Sequence, residues 1–330
     1  MLRYIVSRLF ESFAVLFLVS VLAFGLMHAA PGDPVMAIYG IKVQQMKPED
    51  RERIRENLGL NHPVSLQYVR WLGGALQGNL GCSLITGRPV AEEIRERLGA
   101  TLVLALSSSL LIVLFTLGAG LAAGLYRGSW FDYLVTFISY ALMCLPGFWF
   151  GLMLILVFSV TLRWLPSSGM ITLGKEFTWG DFLKHLIMPA LVLSFTHLGY
   201  YIRLLRGSVA AVLEKDFISA LRAWGISEKK IVFKHVLRNA LLPYVTYLGA
   251  SVSITLGGSV VTESVFAWPG LGQLAVEAAT NRDYPMIMGT ILLTAALVVS
   301  GSLVADLVCA WLDPRIVLYG GKREKSSATI

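Results

Sequence analysis

Residues able to do chemistry are few in this chain, and their spacing removes most of the reactions they could support. Nucleotide hydrolysis needs a glycine-rich loop closed by lysine and a hydroxyl residue. Gly320-Gly321-Lys322 lacks both the earlier glycine and the following Ser or Thr. Any ATP this protein uses must therefore be hydrolysed by another chain. Neither GxSxG nor HExxH occurs, and the five histidines fall at no ligand spacing, so no catalytic group and no metal site is expected. Cys82, Cys144 and Cys309 are in no paired spacing either, and two of them lie in apolar runs, so neither a disulfide nor a metal is expected from them. What remains is scattered: His197 inside an apolar run, and Glu263, Asp283 and Asp306 close to the ends of such runs.

One stretch is dense in charge. Glu214 to Pro243, EKDFISALRAWGISEKKIVFKHVLRNALLP, stands between two long uncharged runs. Leu213, Phe217, Ala220, Leu221 and Trp224 recur at intervals of three and four, which places them on one face of a short amphipathic helix. Gly225 ends that helix. Beyond it, Ser227 suits the N-cap of a second helix and Glu228 its positive end, and Lys230, Lys234 and Arg238 follow at intervals of four. Two helices meeting at a glycine form an elbow that offers an apolar and a basic stripe. Two readings stay open: the stripes seat a partner, or the apolar residues pack under their own protein while the basic ones only set its orientation.

The elements that must position this elbow are membrane spans. With 55% hydrophobic and 15% charged residues, and a mean hydropathy of +0.66, the apolar surplus has to be buried in lipid. The formal charge of +7 sits at the ends of uncharged runs, which is an orientation signal and not a nucleic-acid groove. Residues 1–30 hold the first span, an uncleaved helix over Leu9–Ala30. Residues 31–97 form a polar external subdomain, opened by Pro31-Gly32-Asp33-Pro34. It has helices over Pro48–Leu58 and Val64–Leu76, the latter carrying Tyr68, Trp71 and Leu72 towards the headgroup region.

Residues 98–312 form a core of five further spans. The first is Thr101–Tyr126, where Gly120 and Gly124 either let a neighbouring helix approach or are simply tolerated in lipid. Tyr133–Leu162 is too long for one straight crossing, so tilt or a break at Pro146-Gly147 is expected. A mid-depth break frees backbone groups that only protein or a wet cavity can satisfy, which makes Pro146, Gly147, Trp149 and Gly151 candidates for lining a path. A short outer connection, Arg163–Lys184, leads to Leu186–Ile202. There, His197 reads either as a hydrogen bond to a neighbouring helix or as a path group.

Arg203–Arg238 carries eight Lys/Arg against three acids and so belongs in the cytoplasm. Parity then puts both termini there. Ala240–Val261 heads outward, residues 263–285 form an external hairpin at the membrane face with Glu263 and Asp283 as further path candidates, and Met286–Ala305 returns. Residues 313–330 are a cytoplasmic tail. The expected fold is an all-α polytopic membrane protein of six transmembrane helices, with a cytoplasmic loop over 207–242 between the fourth and fifth.

Several of these segments share a pattern. The elbow, with Ala220, Gly225 and the late Leu242-Pro243 of HVLRNALLP, resembles the coupling loop of binding-protein-dependent ABC importer permeases. It is most like the dipeptide, oligopeptide and nickel branch. AAPGDPV, NLGCSLITGRPV, FAWPGLG, RDYP and LDPR resemble the same branch, over essentially the whole chain. Ser219-Ala220-Leu221 departs from the pattern's glutamate and two alanines.

The resemblance implies a non-catalytic subunit of the bacterial or archaeal cytoplasmic (inner) membrane. It implies pairing with a second homologous permease, two ATPases that hold ATP and Mg, an external substrate-binding protein and membrane lipid, with no cofactor and no nucleic acid on this chain. The cargo would be peptides or nickel, and glutathione-like or opine cargo belongs to the same branch. Phe217, Ala220, Leu221, Trp224 and Gly225 would seat the ATPase, with Lys230, Lys234 and Arg238 making polar contacts. A secondary transporter driven by an ion gradient is the alternative, against which stand the lack of an inverted repeat and the scarcity of intramembrane charge.

Overall fold

The computed structural model describes residues 2–29, scattered positions between 47 and 56, and 61–312. Every named element among them is helical. Most of the Pro48–Leu58 helix, the LDPR closure beyond Leu312 and the tail 313–330 lie outside the described residues.

The first helix, α1 (Leu2–Ala29), is followed by α2 (Val64–Leu76), at the bounds its periodicity predicts. Tyr68 and Trp71 turn towards α1. Tyr68 shares a hydrogen bond with the Ser20 hydroxyl at 2.8 Å, and both rings pack on Phe24 of α1. The rings bury area against α1 while the phenol keeps a hydrogen-bond partner there.

Next comes α3 (Val90–Leu125), which starts well before the predicted span and holds a π-helical turn at Thr116–Gly120. The charged turn after it ends at Ser129, whose hydroxyl caps α4 (Trp130–Cys144) by accepting from the Asp132 N–H. The break expected at Pro146-Gly147 is present: α4 and α5 (Gly147–Thr161) meet at 102°. Pro146 has no N–H to give and pushes Leu145 into extended backbone, so the helix cannot run through.

The span expected over Leu186–Ile202 is the middle of a 35-residue helix, α6 (Trp179–Leu213). The outer connection is correspondingly shorter, because Thr178 caps α6 by accepting from the Asp181 N–H. The helix also runs past Arg203 into what reads as loop. It does so because the two arginines there find partners on α4: Tyr140 lies under Arg203, and Asp132 accepts from Arg206. α6 is the axis of the core, with its Leu205 and Val209 fully buried. The Gly120/Gly124 pair meets this helix. A Cβ on Gly124 would sit 2.7 Å from Val209 Cβ, and one on Gly120 3.1 Å from the Ile202 carbonyl, so close approach is what the two glycines provide.

After a short α7 (Asp216–Ala223), the chain re-enters the bundle as α8 (Leu237–Val265), then α9 (Leu271–Asn281) and α10 (Tyr284–Leu312). Among the described residues four helices, α1, α3, α6 and α10, are long and apolar enough to cross a membrane, and the bent α4–α5 pair is long and apolar enough to make a fifth crossing if it counts as one span. The segment between α8 and α9 is not spread over a membrane face as its sequence suggests. Phe266 and Trp268 are buried inside that end of the bundle, where the Trp268 indole N–H donates to the Ala100 carbonyl at 2.9 Å.

Candidate functional site

The elbow is built by a glycine-terminated helix stop. At the end of α7, the Gly225 N–H donates to the Arg222 carbonyl at 2.9 Å and the Ile226 N–H to the Leu221 carbonyl at 3.2 Å. Gly225 itself sits at φ +73°, where a side chain would be strained. Leu221 and Ile226, the apolar pair that accompanies such a stop, both pack on the bundle core.

Ser227 occupies the predicted N-cap position, but its hydroxyl makes no cap bond; its carbonyl accepts from Ile231 N–H at 3.0 Å. Glu228 instead takes two hydrogen bonds from the Arg222 guanidinium, at 2.7 and 3.3 Å. These bonds hold its carboxyl below the usual carboxylate range and brace one arm of the elbow on the other. The second arm, Glu228–Lys230, passes through a π-helical stretch, Ile231–Val236, into α8.

The elbow has two faces. Inward, Ile218, Ile231 and Val236 are fully buried in the cluster formed with Ile112, Leu205 and Val209. Outward, Trp224 is 78% and Phe233 68% exposed, Phe217 and Ala220 are exposed, and so are Lys230, Lys234 and Arg238. Of the five apolar residues proposed as a seat, Leu221 therefore serves the protein's own core. Phe233 and Ile218 were not singled out from the sequence, because an apolar residue on a short helix looks the same whichever way it turns. Two further ties fix the elbow's base. Arg127, in the turn before α4, pairs with Glu214. The buried Asp132 carboxylate accepts from the Gly128 N–H at 2.9 Å and from Arg206 Nη2 at 2.7 Å. Neither tie shows in the sequence, since the partners lie more than 70 positions apart.

The path candidates separate into two groups. Pro146 and Trp149 are exposed beside the break, and His197 is partly buried on α6 nearby. Gly147 faces Thr196, and Gly151 is packed against Phe266 and Val265. Glu263 and Asp283 are different. Glu263 is 0% exposed; it accepts from the Thr101 hydroxyl at 2.9 Å, the Gly272 N–H at 2.7 Å and the Gln273 N–H at 3.1 Å. It caps α9 and ties it to α3 and α8, and its side chain is closed off from any path through this chain. Asp283, 3% exposed, caps α10 through the Met286 N–H and anchors the loop at Ser83 and Leu84. Asp306 is engaged as well, with Arg8 of α1 at 3.2 Å.

Residues 115–318 match the family described as binding-protein-dependent transport system inner membrane component, and residues 1–105 match the N-terminal family of the same systems. The chain belongs to this family. It is a multi-pass permease subunit of a binding-protein-dependent ABC importer, a non-catalytic membrane component that depends on partner ATPases for nucleotide and on a binding protein for cargo. The permease is 43% identical to the oligopeptide transport system permease AppB of Bacillus subtilis, over 96% of this chain and 99% of the relative. It is 39% identical to the glutathione transport system permease GsiC of Escherichia coli, again over 96% and 99%. A solved inward-facing structure of the MetNI methionine ABC transporter has the same fold at TM-score 0.53 and 18% identity, over 67% of the permease and 96% of that chain. Membership of this family leaves the secondary-transporter alternative without support.

Proposed function

We propose that this permease conducts peptides carrying a free carboxylate, handed over by an external binding protein, and that its elbow is the joint through which ATPase closure moves the spans. The cargo class follows from the relatives, whose names specify oligopeptides and glutathione; nickel has no observation in its favour. The observation that carries the joint is the two-sided elbow. Force transmission needs one face welded to the spans and another open to a partner. Ile218, Ile231 and Val236 are buried in the core, while Phe217, Trp224 and Phe233 are bare. Exposed aromatics of this kind are typical anchors of a protein interface. Lys230, Lys234 and Arg238 add polar contacts to the ATPase or to anionic lipid.

In this reading α8 is the sixth crossing and the elbow end is cytoplasmic, with both termini. Residues 31–97 and 263–285 are then external. A second, homologous permease completes the path and two ATPases drive it. Pro146, Gly147, Trp149 and His197 border that path. The test is reconstitution. Purified from cells that also express the neighbouring transporter genes, the permease brings down an ATPase, and proteoliposomes take up peptide only with ATP and binding protein. Uptake by the permease alone under an ion gradient overturns the reading.

A further inference from the structure

Helix α6 is the most enclosed of the four long spans, yet it keeps one open strip. Thr196, Tyr200, Arg203 and Gly207 follow at intervals of four, three and four and share a face. Tyr200 stacks edge-on with Tyr247 of α8 at 6.0 Å, and Arg203 lies against α4, so the strip runs between those two walls beside the Pro146 break. Tyr140, Tyr200 and Tyr247 are about half exposed along it. A strip of hydroxyls and a cation is poor lipid-facing surface, in contrast to the bare Phe10, Phe13 and Phe17 of α1.

Arg203 is held but not neutralised. Its Cζ lies 4.1 Å from the Tyr140 ring centre and its Nη1 donates to Met143 Sδ at 3.6 Å. Among the described residues no carboxylate lies within ion-pair distance of it. An orientation charge would lean towards the elbow end, as Arg206 does in reaching Asp132. Arg203 leans the other way. Asp132 and Met143 are eleven residues apart on α4, about 16 Å of helix, so the two guanidiniums reach towards opposite ends of that helix. A cation on this long apolar helix, stacked on a ring and without an anion, suits a ligand that supplies one.

We propose that Arg203 is an anion station on the translocation path, and that its guanidinium takes the free carboxylate of a passing peptide. This rests on the peptide reading above. The planar fork matches a carboxylate through two parallel N–H donors, while Tyr140 keeps it oriented. One station on one side chain binds weakly enough to let the cargo go, as conduction requires.

The test uses the complete reconstituted complex and compares uptake of a peptide with that of its C-terminal amide. The binding protein is loaded to equal occupancy, and the quantity read is the R203Q to wild-type rate ratio for each cargo, in which the binding protein's own preference cancels. The acid ratio should fall to about one tenth, the loss of one charge-assisted bond, while the amide ratio stays near one. R203K, which keeps the charge without the fork, should fall between. Equal ratios for acid and amide, whether both near one or both reduced, overturn the proposal. So does a deficit that appears only in vesicles containing phosphatidylglycerol and vanishes in phosphatidylcholine, which assigns the guanidinium to lipid phosphate. A wild-type complex that takes up no peptide rejects the cargo class itself, a result seen without any variant.

Discussion

At the scale of single residues, Gly225 and Ile218 separate two ways of breaking the elbow. Gly225 sits at φ +73° in open space, so a substituent is opposed by backbone strain and not by a clash. Gly225→Val should leave the permease inserted and assembled yet abolish ATP-driven uptake. Gly225→Asn, which tolerates a left-handed backbone, should retain most of it. Uptake at the wild-type rate in the valine variant would remove the account of the turn. Ile218→Ala should instead destabilise the folded permease by about 2–5 kcal/mol, read by thermal unfolding in detergent, because its side chain is fully buried. The Arg222–Glu228 brace has a pH signature. Because the folded-state carboxyl is held below its ordinary value, the stabilisation is present above the unfolded pKa and is lost as pH falls through the folded one. Neutral and mildly acidic pH should therefore leave the elbow's hydrogen-exchange protection unchanged, and only strongly acidic buffer should reduce it. Gly225 as a hinge was legible in the sequence, since a glycine between two amphipathic patterns has few other meanings. The direction of Leu221 was not, because a three-four stripe fixes which residues share a face and leaves open what that face meets.

Between elements, the bundle is held at both ends by buried carboxylates. Glu263 joins α3, α8 and α9 through three donors, and among the described residues no basic side chain pairs with it. Glu263→Gln should cost about 1–3 kcal/mol in thermal unfolding, since the new amide turns a donor towards donors. An unchanged unfolding midpoint would show that the carboxylate is not the tie proposed here. At the elbow end, Asp132→Ala strands Arg206 and should loosen the α4–α6 junction more than Arg127→Ala, whose partner Glu214 is exposed. The break at Pro146-Gly147 could be read from chemistry alone, because proline removes a donor and constrains its predecessor. The fate of the 266–270 segment could not. An aromatic, helix-breaking run suits a membrane face as well as a core, and only the Ala100 carbonyl and Thr101 hydroxyl, far away in sequence, decide for the core.

For the molecule as a whole, the claim is that a rigid bundle turns motion at one end into a change along the strip between α4 and α8. Its class was written in composition and in the positions of the charges; its working surfaces were not, because surfaces facing lipid, a second permease or an ATPase are all apolar in a chain read singly. Stiffness comes from the elbow's burial in the cluster around Ile112 and Leu205, which couples it directly to α3, α6 and α8. The outer face carries the hypothesis about the partner. The most direct measurement is photo-crosslinking in the assembled transporter, with a photoreactive amino acid in place of Trp224 at the elbow or of Trp164, exposed just beyond α5. The account predicts an adduct between position 224 and an ATPase subunit, and none from position 164. Adducts from position 224 only to lipid, to the external binding protein or within its own chain would contradict it.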